Sequence, residues 1–238
     1  MKKAGQILGI ALGQVEKFIK PGLTTQEVDL FAEKLIFELG GKTVFKGYRG
    51  FPATCCICIN DEVVHGIPGK RVIQEGDLVT VDCGVNYQGF IADSAITVAV
   101  GEVSLEAQKL INTAYKALER GIAAAKPGQR TTEISKAIEN VVRKEGFGIV
   151  EDLSGHGVGT SLHEDPYILN FYDGEPGPIM QPGMTFAIEP IITLGSSKTK
   201  TLNDNWTIVT KDQSLSVQVE HTIAITEKGA EILTKRPN

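Results

Sequence analysis

The sequence predicts an α+β fold in which pairs of helices accompany antiparallel strands rather than alternating βαβ units. Two observations support this. A helical unit with Lys-Pro-Gly at 20–22 recurs with Lys-Pro-Gly at 126–128, and the shift of 106 residues also aligns later apolar positions. Other segments are rich in valine, isoleucine and threonine, which β-structure favours. We therefore expect one catalytic domain over 1–238, built from similar halves of about 1–103 and 104–238.

Each half is predicted to contain two helices. Apolar residues recur at helical spacing over 4–20 and 104–126, and both segments end at Pro-Gly, which removes a backbone donor and permits a positive φ. A second helix follows in each half. Thr24 and Glu27 form a capping-box pattern ahead of the first apolar stripe, and residues 131–145 repeat that stripe.

Four segments read as strands. Residues 78–84 and 90–98 flank Asn-Tyr-Gln-Gly at 86–89, a pattern that predicts a β-hairpin. Residues 184–193 and 216–226 are predicted as two further continuous strands near the C-terminus.

Charge and composition argue against nucleic-acid and membrane partners. The chain has 24 Lys and Arg against 29 Asp and Glu, a formal charge of −5, and its basic residues form no long block, as a nucleic-acid or anionic-membrane binder would need. No apolar stretch approaches the roughly 20 residues of a transmembrane helix. The first residues do not resemble a signal peptide. We expect a cytoplasmic protein.

The four cysteines are predicted to be reduced and structural. Cys55, Cys56 and Cys58 share one apolar run, and Cys83 lies on a predicted strand. Cys55 and Cys58 form a C-x-x-C pattern. However, no helix start follows it, and the chain has no second pair to complete a zinc cage.

Four carboxylates interrupt the predicted strands. Asp82 and Asp93 lie on the two arms of the hairpin, and Glu189 and Glu220 lie in the later strands. A buried carboxylate costs on the order of several kcal/mol unless it is paired or bound to a metal. Ion pairs with distant basic residues are the alternative, but they would have to be formed four times over. The pattern therefore favours a cation site.

Three histidines lie in glycine-containing motifs. His65 opens His-Gly-Ile-Pro, while His156 and His163 share the glycine-rich run 155–166, whose spacing lets backbone approach a ligand. This run lacks the G-x-G-x-x-G spacing of a dinucleotide loop. His221 follows Glu220 directly, so on a strand it faces the opposite side, and we predict a structural role for it.

Four carboxylates and one imidazole form a ligand set that suits two divalent metals such as Mn, Fe, Co or Zn. A pair of such ions can polarise a carbonyl group and lower the pKa of a shared water. The ligand set therefore indicates a hydrolase.

Six motifs in a fixed order carry a resemblance to a known family. They are G-Y-R-G-F-P at 47–52, I-N-D-E-V-V-H-G-I-P at 59–68, V-D-C-G with I-A-D at 81–84 and 91–93, G-H-G-V-G with H-E-D-P at 155–159 and 163–166, M-T-F-A-I-E-P at 184–190, and V-E-H-T at 219–222. Over essentially its whole length the sequence resembles the type I methionine aminopeptidases. That resemblance implies the pseudo-symmetric pita-bread fold, which agrees with the repeat.

The resemblance implies a role for each matching residue. Five positions match the family's metal ligands, with the second and the last expected to bridge two ions: Asp82, Asp93, His156, Glu189 and Glu220. Glu189 would also act as a proton shuttle for the bridging hydroxide, which attacks the first peptide carbonyl.

Further positions match the family's substrate cleft. His163 would hold the scissile amide and its developing oxyanion, and His65 would help to position the substrate or assist proton transfer. Four residues match the pocket for the methionine side chain: Tyr48, Phe51, Cys56 and Trp206.

The implied activity is removal of the initiator methionine, preferentially when the second residue is small. The expected partners are N-terminal Met peptides, nascent chains and, transiently, the ribosome, and we expect a monomer. Two alternatives remain. A prolidase or Xaa-Pro aminopeptidase would share the fold and ligands but generally carries an extra N-terminal domain. A non-catalytic pita-bread protein would bind peptides, histones or RNA, but such relatives typically lose metal ligands.

Overall fold

The computed structural model describes residues 1–237, and within them four α-helices form two pairs. The helices are α1 (Lys2–Phe18), α2 (Thr25–Glu38), α3 (Leu105–Ala124) and α4 (Thr132–Glu145), and a short 3-10 turn spans Tyr48–Gly50. All four helices agree with the predicted segments. Among the described residues, none of these helices combines the length and the hydrophobicity that a bilayer crossing requires.

The strands are mostly short, with two of ten residues. In chain order they are β1 (Lys42–Thr43), β2 (Cys55–Ile59), β3 (Glu62–Val64), β4 (Leu78–Tyr87), β5 (Phe90–Ala99), β6 (Gly148–Ile149), β7 (Gly155–Gly157), β8 (Glu164–Ile168), β9 (Thr185–Ile188), β10 (Ile191–Thr193), β11 (Thr199–Thr201), β12 (Ile208–Thr210), β13 (Ser216–Gln218), β14 (His221–Thr226) and β15 (Gly229–Ile232). Every pairing between these strands is antiparallel. The predicted α+β class is confirmed.

The capping box at the start of α2 is present as predicted. The backbone N–H of Glu27 donates to the Thr24 hydroxyl at 3.2 Å, and the Glu27 carboxylate accepts the Thr24 N–H at 2.7 Å. These two bonds satisfy backbone donors that a helix start otherwise leaves open. In the second half, α4 ends at Gly146, whose φ of 84° is the left-handed conformation that glycine adopts without strain.

The predicted hairpin is the long pair β4 and β5. Its two-residue turn, Gln88-Gly89, has positive φ at both positions, 53° and 86°, as the turn that matches strand twist requires. β4 is paired with β5 on one edge and with both β1 and β2 on the other. The second half has a five-stranded sheet in the order β15-β14-β9-β7-β8.

The two C-terminal segments predicted as continuous strands are each divided in two, so this part of the prediction is wrong. β9 and β14 pair in the five-stranded sheet, whereas β10 and β13 pair in a small sheet with β6. The chain changes sheet at Glu189-Pro190 and again at Val219-Glu220. Pro190 has no N–H to donate to a ladder. Both glutamates of the predicted metal site therefore lie at strand breaks.

The hydrophobic core has two large clusters. In one, α1 and α2 pack on the hairpin side, with core residues from 4 to 100; in the other, α3 and α4 pack on the second half, with nearly all core residues from 107 to 225. This arrangement is compatible with the predicted halves, whose boundary stays a prediction. The four cysteines are buried free thiols. Burial raises the pKa of Cys56 and Cys58, and a hydrogen bond with Cys83 together with burial raises the pKa of Cys55, so these thiols stay protonated.

Buried hydrogen bonds join the two clusters through β5. The Ser94 hydroxyl donates to the Glu220 carbonyl at 2.6 Å, and the Thr222 hydroxyl donates to the Asp93 carbonyl at 2.7 Å. The N–H of Glu220 donates to the Ala95 carbonyl at 3.0 Å. The seam between the clusters is thus fixed at residues predicted to bind metal.

Helix α1 offers a stability test on two glycines with opposite expectations. A Cβ at Gly9 would lie 2.5 Å from the Lys235 carbonyl oxygen, whereas a Cβ at Gly13 would meet only ordinary contacts, the nearest at 3.8 Å. We expect Gly9→Ala to lower the free energy of unfolding by about 1–3 kcal/mol through overpacking. Gly13→Ala should raise it by about 0.5–1 kcal/mol through helix propensity. Urea unfolding measures both changes, and stabilisation by Gly9→Ala would contradict the close approach.

Candidate metal centre

One cavity of about 310 Å³ brings together every residue that the sequence singled out for function. Eleven predicted site residues line it: Tyr48, Phe51, Cys56, His65, Asp82, Asp93, His156, His163, Glu189, Trp206 and Glu220. The structure thus unites positions that span most of the chain. The individual roles of these residues stay predictions.

The hairpin register places two carboxylates on one face. Asp93 on β5 is directly opposite Gly84 on β4, and Asp82 is two residues from Gly84. Because side chains at i and i+2 point to the same face of a strand, Asp82 and Asp93 project to the same side. Gly84 carries no side chain there, and a Cβ would approach the Phe45 ring to 2.9 Å.

The remaining ligand-type residues come from the second half. His156 lies on β7, next to β9, and Glu189 and Glu220 lie at the two strand breaks. Ligand atoms of Asp93, His156 and Glu220 all lie within 4.8 Å of one another. The Nε2 atom of His156 is 3.8 Å from Asp93 Oδ2 and 3.8 Å from Glu189 Oε1.

A backbone contact fixes which nitrogen of His156 faces the carboxylates. Nδ1 lies 2.9 Å from the Gly157 carbonyl oxygen, which can only accept, so Nδ1 carries the proton. Nε2 then presents a lone pair towards the acids. Burial lowers the pKa of His156 to about 4, so the ring is neutral and suited to bind a metal.

The carboxylates are unusually costly to hold as anions. Burial raises the pKa of Asp82 to about 7. Burial and then repulsion from neighbouring carboxylates raise the pKa of Asp93, Glu189 and Glu220 well above the ordinary range. Within residues 1–237, no Lys or Arg forms an ion pair with any of the four. The alternative of four structural ion pairs is therefore wrong.

Unpaired buried oxygens show what the cluster lacks. Asp82 Oδ1, Asp93 Oδ1 and Glu220 Oε1 are buried without a hydrogen-bond partner. Buried polar atoms are normally satisfied, so such a group calls for a donor or a cation. An oxygen-rich set with one imidazole fits a divalent transition metal. The residues present thus fit a metal centre.

Aromatic side chains form the wall of the cavity beside this cluster. The Phe51 and Trp206 rings meet edge to face with centroids 5.1 Å apart. The His65 and Trp206 rings are also edge to face, with centroids 6.2 Å apart. The Tyr48 hydroxyl lies 2.9 Å from His163 Nδ1. Burial lowers the pKa of both His65 and His163, so both rings are neutral near pH 7.

The sequence analysis missed several polar residues of the cavity, among them Gln218 and Arg49. Gln218 donates from Nε2 to Glu189 Oε2 at 3.0 Å and so orients that carboxylate. Its position two residues before Glu220 in a strand-like segment was the available signal. Arg49 lines the cavity on the turn that carries Tyr48.

His221 lies outside the cavity, as predicted from its alternation with Glu220. Its Nδ1 atom is 2.9 Å from the Thr234 hydroxyl. Burial lowers the pKa of His221 to about 3, so the ring is held neutral in the interior.

Comparison with known proteins assigns the class. Residues 1–227 match metallopeptidase family M24, and the chain belongs to this family. Its relatives include methionine aminopeptidase 1 of Bacillus subtilis, 45% identical over 235 residues, which cover 99% of this chain and 95% of the relative. Methionine aminopeptidase of Clostridium perfringens is 45% identical over 234 residues, 98% of this chain and 94% of the relative.

Solved structures agree with this assignment. Methionine aminopeptidase from Thermotoga maritima superposes with a TM-score of 0.97 at 43% identity, covering 99% of this chain and 95% of that one. The prolidase from Pyrococcus furiosus shares the fold with a TM-score of 0.80 at 26% identity, but this chain covers only 63% of it. The predicted family resemblance and the pita-bread fold are confirmed.

Proposed function

We propose that this chain is a methionine aminopeptidase, which removes N-terminal methionine from peptides and nascent chains when the second residue is small. The observation that supports it most is one cavity in which unpaired buried carboxylates adjoin an aromatic and thiol wall. Nearly full-length similarity to relatives of that name points the same way.

Five residues would hold two divalent ions in this proposal: Asp82, Asp93, His156, Glu189 and Glu220. The family resemblance makes Asp93 and Glu220 the candidates to contact both ions, and ligand atoms of these two residues and of His156 lie within 4.8 Å of one another. When bound, such ions polarise the scissile carbonyl and lower the pKa of a coordinated water. The ions that this proposal considers are cobalt, manganese, iron and zinc.

His163 would stabilise negative charge on the substrate. Its neutral ring accepts a hydrogen bond from the Tyr48 hydroxyl at Nδ1 in this proposal, which leaves the proton on Nε2. A donor of this kind stabilises the oxyanion that forms when the carbonyl is attacked. Tyr48 would thereby set the tautomer of His163 as well as contact substrate.

Two further residues would handle protons and substrate position. Glu189 is oriented by Gln218, and its carboxyl group would accept a proton from the attacking water and deliver it to the leaving amine. His65 would position the substrate or assist proton transfer from the aromatic wall.

The methionine side chain would lie against Tyr48, Phe51, Cys56 and Trp206. A thioether is polarisable and flexible, and each sulfur–aromatic contact contributes about 0.3–1.5 kcal/mol. Burial raises the pKa of Cys56, so this wall residue stays an uncharged thiol beside an apolar ligand. A monomeric state, a cytoplasmic location and a transient contact with the ribosome stay predictions.

A peptide panel tests the proposed function. The enzyme reconstituted separately with cobalt, manganese, iron and zinc should release methionine from Met-Ala-Ala with at least one ion and leave Ala-Pro-Ala intact. Release of the first residue from Ala-Pro-Ala instead would favour the Xaa-Pro alternative. Metal binding without hydrolysis of either peptide would favour the non-catalytic alternative.

Metal binding can be tested apart from activity. We expect Asp93→Asn to lose bound metal in calorimetric titration with Mn²⁺, because the amide removes one anionic ligand oxygen from the centre. Asp29→Asn is a matched control, since Asp29 is also buried but accepts the Cys55 N–H at 2.7 Å away from the cavity. Full stoichiometry in Asp93→Asn would refute its role as a ligand.

Removal of the His163 ring should affect chemistry more than metal binding. We expect His163→Ala to lower kcat by roughly 10²–10³, the usual effect of removing one oxyanion donor. Calorimetry should still find the wild-type metal stoichiometry. An unchanged kcat on Met-Ala-Ala would disprove the role of His163.

A further inference from the structure

A positively charged residue is held at the mouth of the cavity by its backbone. Arg49 is exposed and lines the cavity, and its φ of 48° and ψ of 22° are left-handed, which is uncommon for a residue with a side chain. Gly47 and Gly50 beside it also have positive φ, 88° and 90°. The turn is closed by hydrogen bonds from the Gly47 N–H to the Phe51 carbonyl at 2.8 Å and from the Phe51 N–H to the Tyr48 carbonyl at 2.9 Å. The position of Arg49 is therefore set by the fold.

The charge of Arg49 is not compensated by a neighbouring acid. None of the carboxylates within residues 1–237 forms an ion pair with it, whereas Lys46, three residues earlier, pairs with Glu33 at 2.7 Å. The Arg49 guanidinium lies over the Tyr48 ring, 5.4 Å from its centroid. Arg49 thus lines the cavity beside Tyr48, whose hydroxyl lies 2.9 Å from His163 Nδ1.

Arg49 is also the one Lys or Arg among the described residues that line the cavity. The charged residues of the lining are Arg49, Asp152 and the four buried carboxylates. Divalent ions would compensate the buried carboxylates, so only Arg49 and the exposed Asp152 would keep a charge at the opening.

A bound peptide would have to leave the cavity past this residue. In the proposed function, the first residue lies in the aromatic pocket and the chain after the scissile bond runs outward. An extended peptide advances about 3.3 Å per residue, so the residues that follow the second lie progressively farther out, towards the exposed Arg49.

We propose that Arg49 selects among substrates by charge and favours peptides with an acidic side chain at the third or fourth position. This inference rests on the proposed function and adds a substrate class to it. The guanidinium offers several donors in a fixed plane that match a carboxylate. Arg49 thus acts as a specificity residue at the mouth.

The test compares three peptides on the metal-loaded enzyme. They are Met-Ala-Xaa-Ala with Asp, Gln or Lys at Xaa, and a second series places the same residues at position four. We expect kcat/KM for the Asp peptide to exceed that for the Gln peptide by about 1.5- to 5-fold in at least one series, the range of exposed ion pairs. The Lys peptide should be the slowest. The preference should shrink at about 0.5 M NaCl, because salt screens exposed charges.

Variants assign the preference to this residue. Arg49→Asn should abolish it, and asparagine suits the left-handed backbone; Arg49→Lys should retain part of it. Lys46→Gln makes the same charge change on a residue outside the cavity lining and should leave the preference intact.

Several outcomes would overturn the inference. They are equal kcat/KM for all peptides with the wild-type enzyme, a preference that persists in Arg49→Asn, and a uniform loss for every peptide in that variant, which would mean an effect through His163 alone. If Arg49→Asn fails to fold, the salt dependence of the wild-type preference still decides, and a salt-independent preference would count against an ionic contact. Failure of the wild-type enzyme to cleave Met-Ala-Gln-Ala would refute the proposed function instead.

Discussion

The structure depends on one electrostatic constraint, the burial of four carboxylates that form no ion pair with any Lys or Arg among residues 1–237. Burial raises the pKa of Asp82, Asp93, Glu189 and Glu220, and repulsion from neighbouring carboxylates raises the pKa of the last three further. An interior of this kind is stable only if cations or protons compensate the charge. The surrounding architecture can be understood as the support that this arrangement needs. Its seam hydrogen bonds end on the backbone of the carboxylate residues themselves.

The framework positions the four carboxylates in two different ways, by strand register and by breaks between strands. The hairpin supplies two carboxylates from a continuous ladder, where register alone decides which side chains share a face. The two glutamates instead come from points where the chain leaves one sheet for another. Ordinary pleating would send neighbouring side chains alternately inward and outward. A residue at a strand break does not have to follow this alternation. Each glutamate can therefore point into the cavity while the strands before and after it belong to different sheets.

Sequence reasoning succeeded where the decisive signal was local. The capping box at Thr24 and the hairpin turn at Gln88 are each encoded within a few residues, and both are present. The four carboxylates stood out because charge in an apolar strand has few explanations. The breaks at Glu189 and Glu220 were not predictable, since they depend on partners distant in sequence. Gln218 was missed because a neutral amide leaves no electrostatic signal, and Arg49 because its left-handed backbone is visible only in the folded chain.

The sequence positions of the proposed metal ligands also determine how much of the chain must be made before all of them are present. Ser94 and Glu220, joined at the seam, are separated by 126 positions along the chain. The ligand-type residues extend from Asp82 to Glu220, so no fragment that ends before residue 220 contains the complete set. During synthesis, the hairpin emerges long before the strand that completes the site. In the proposed function, a complete set of metal ligands is therefore available only after nearly all of the chain has been made.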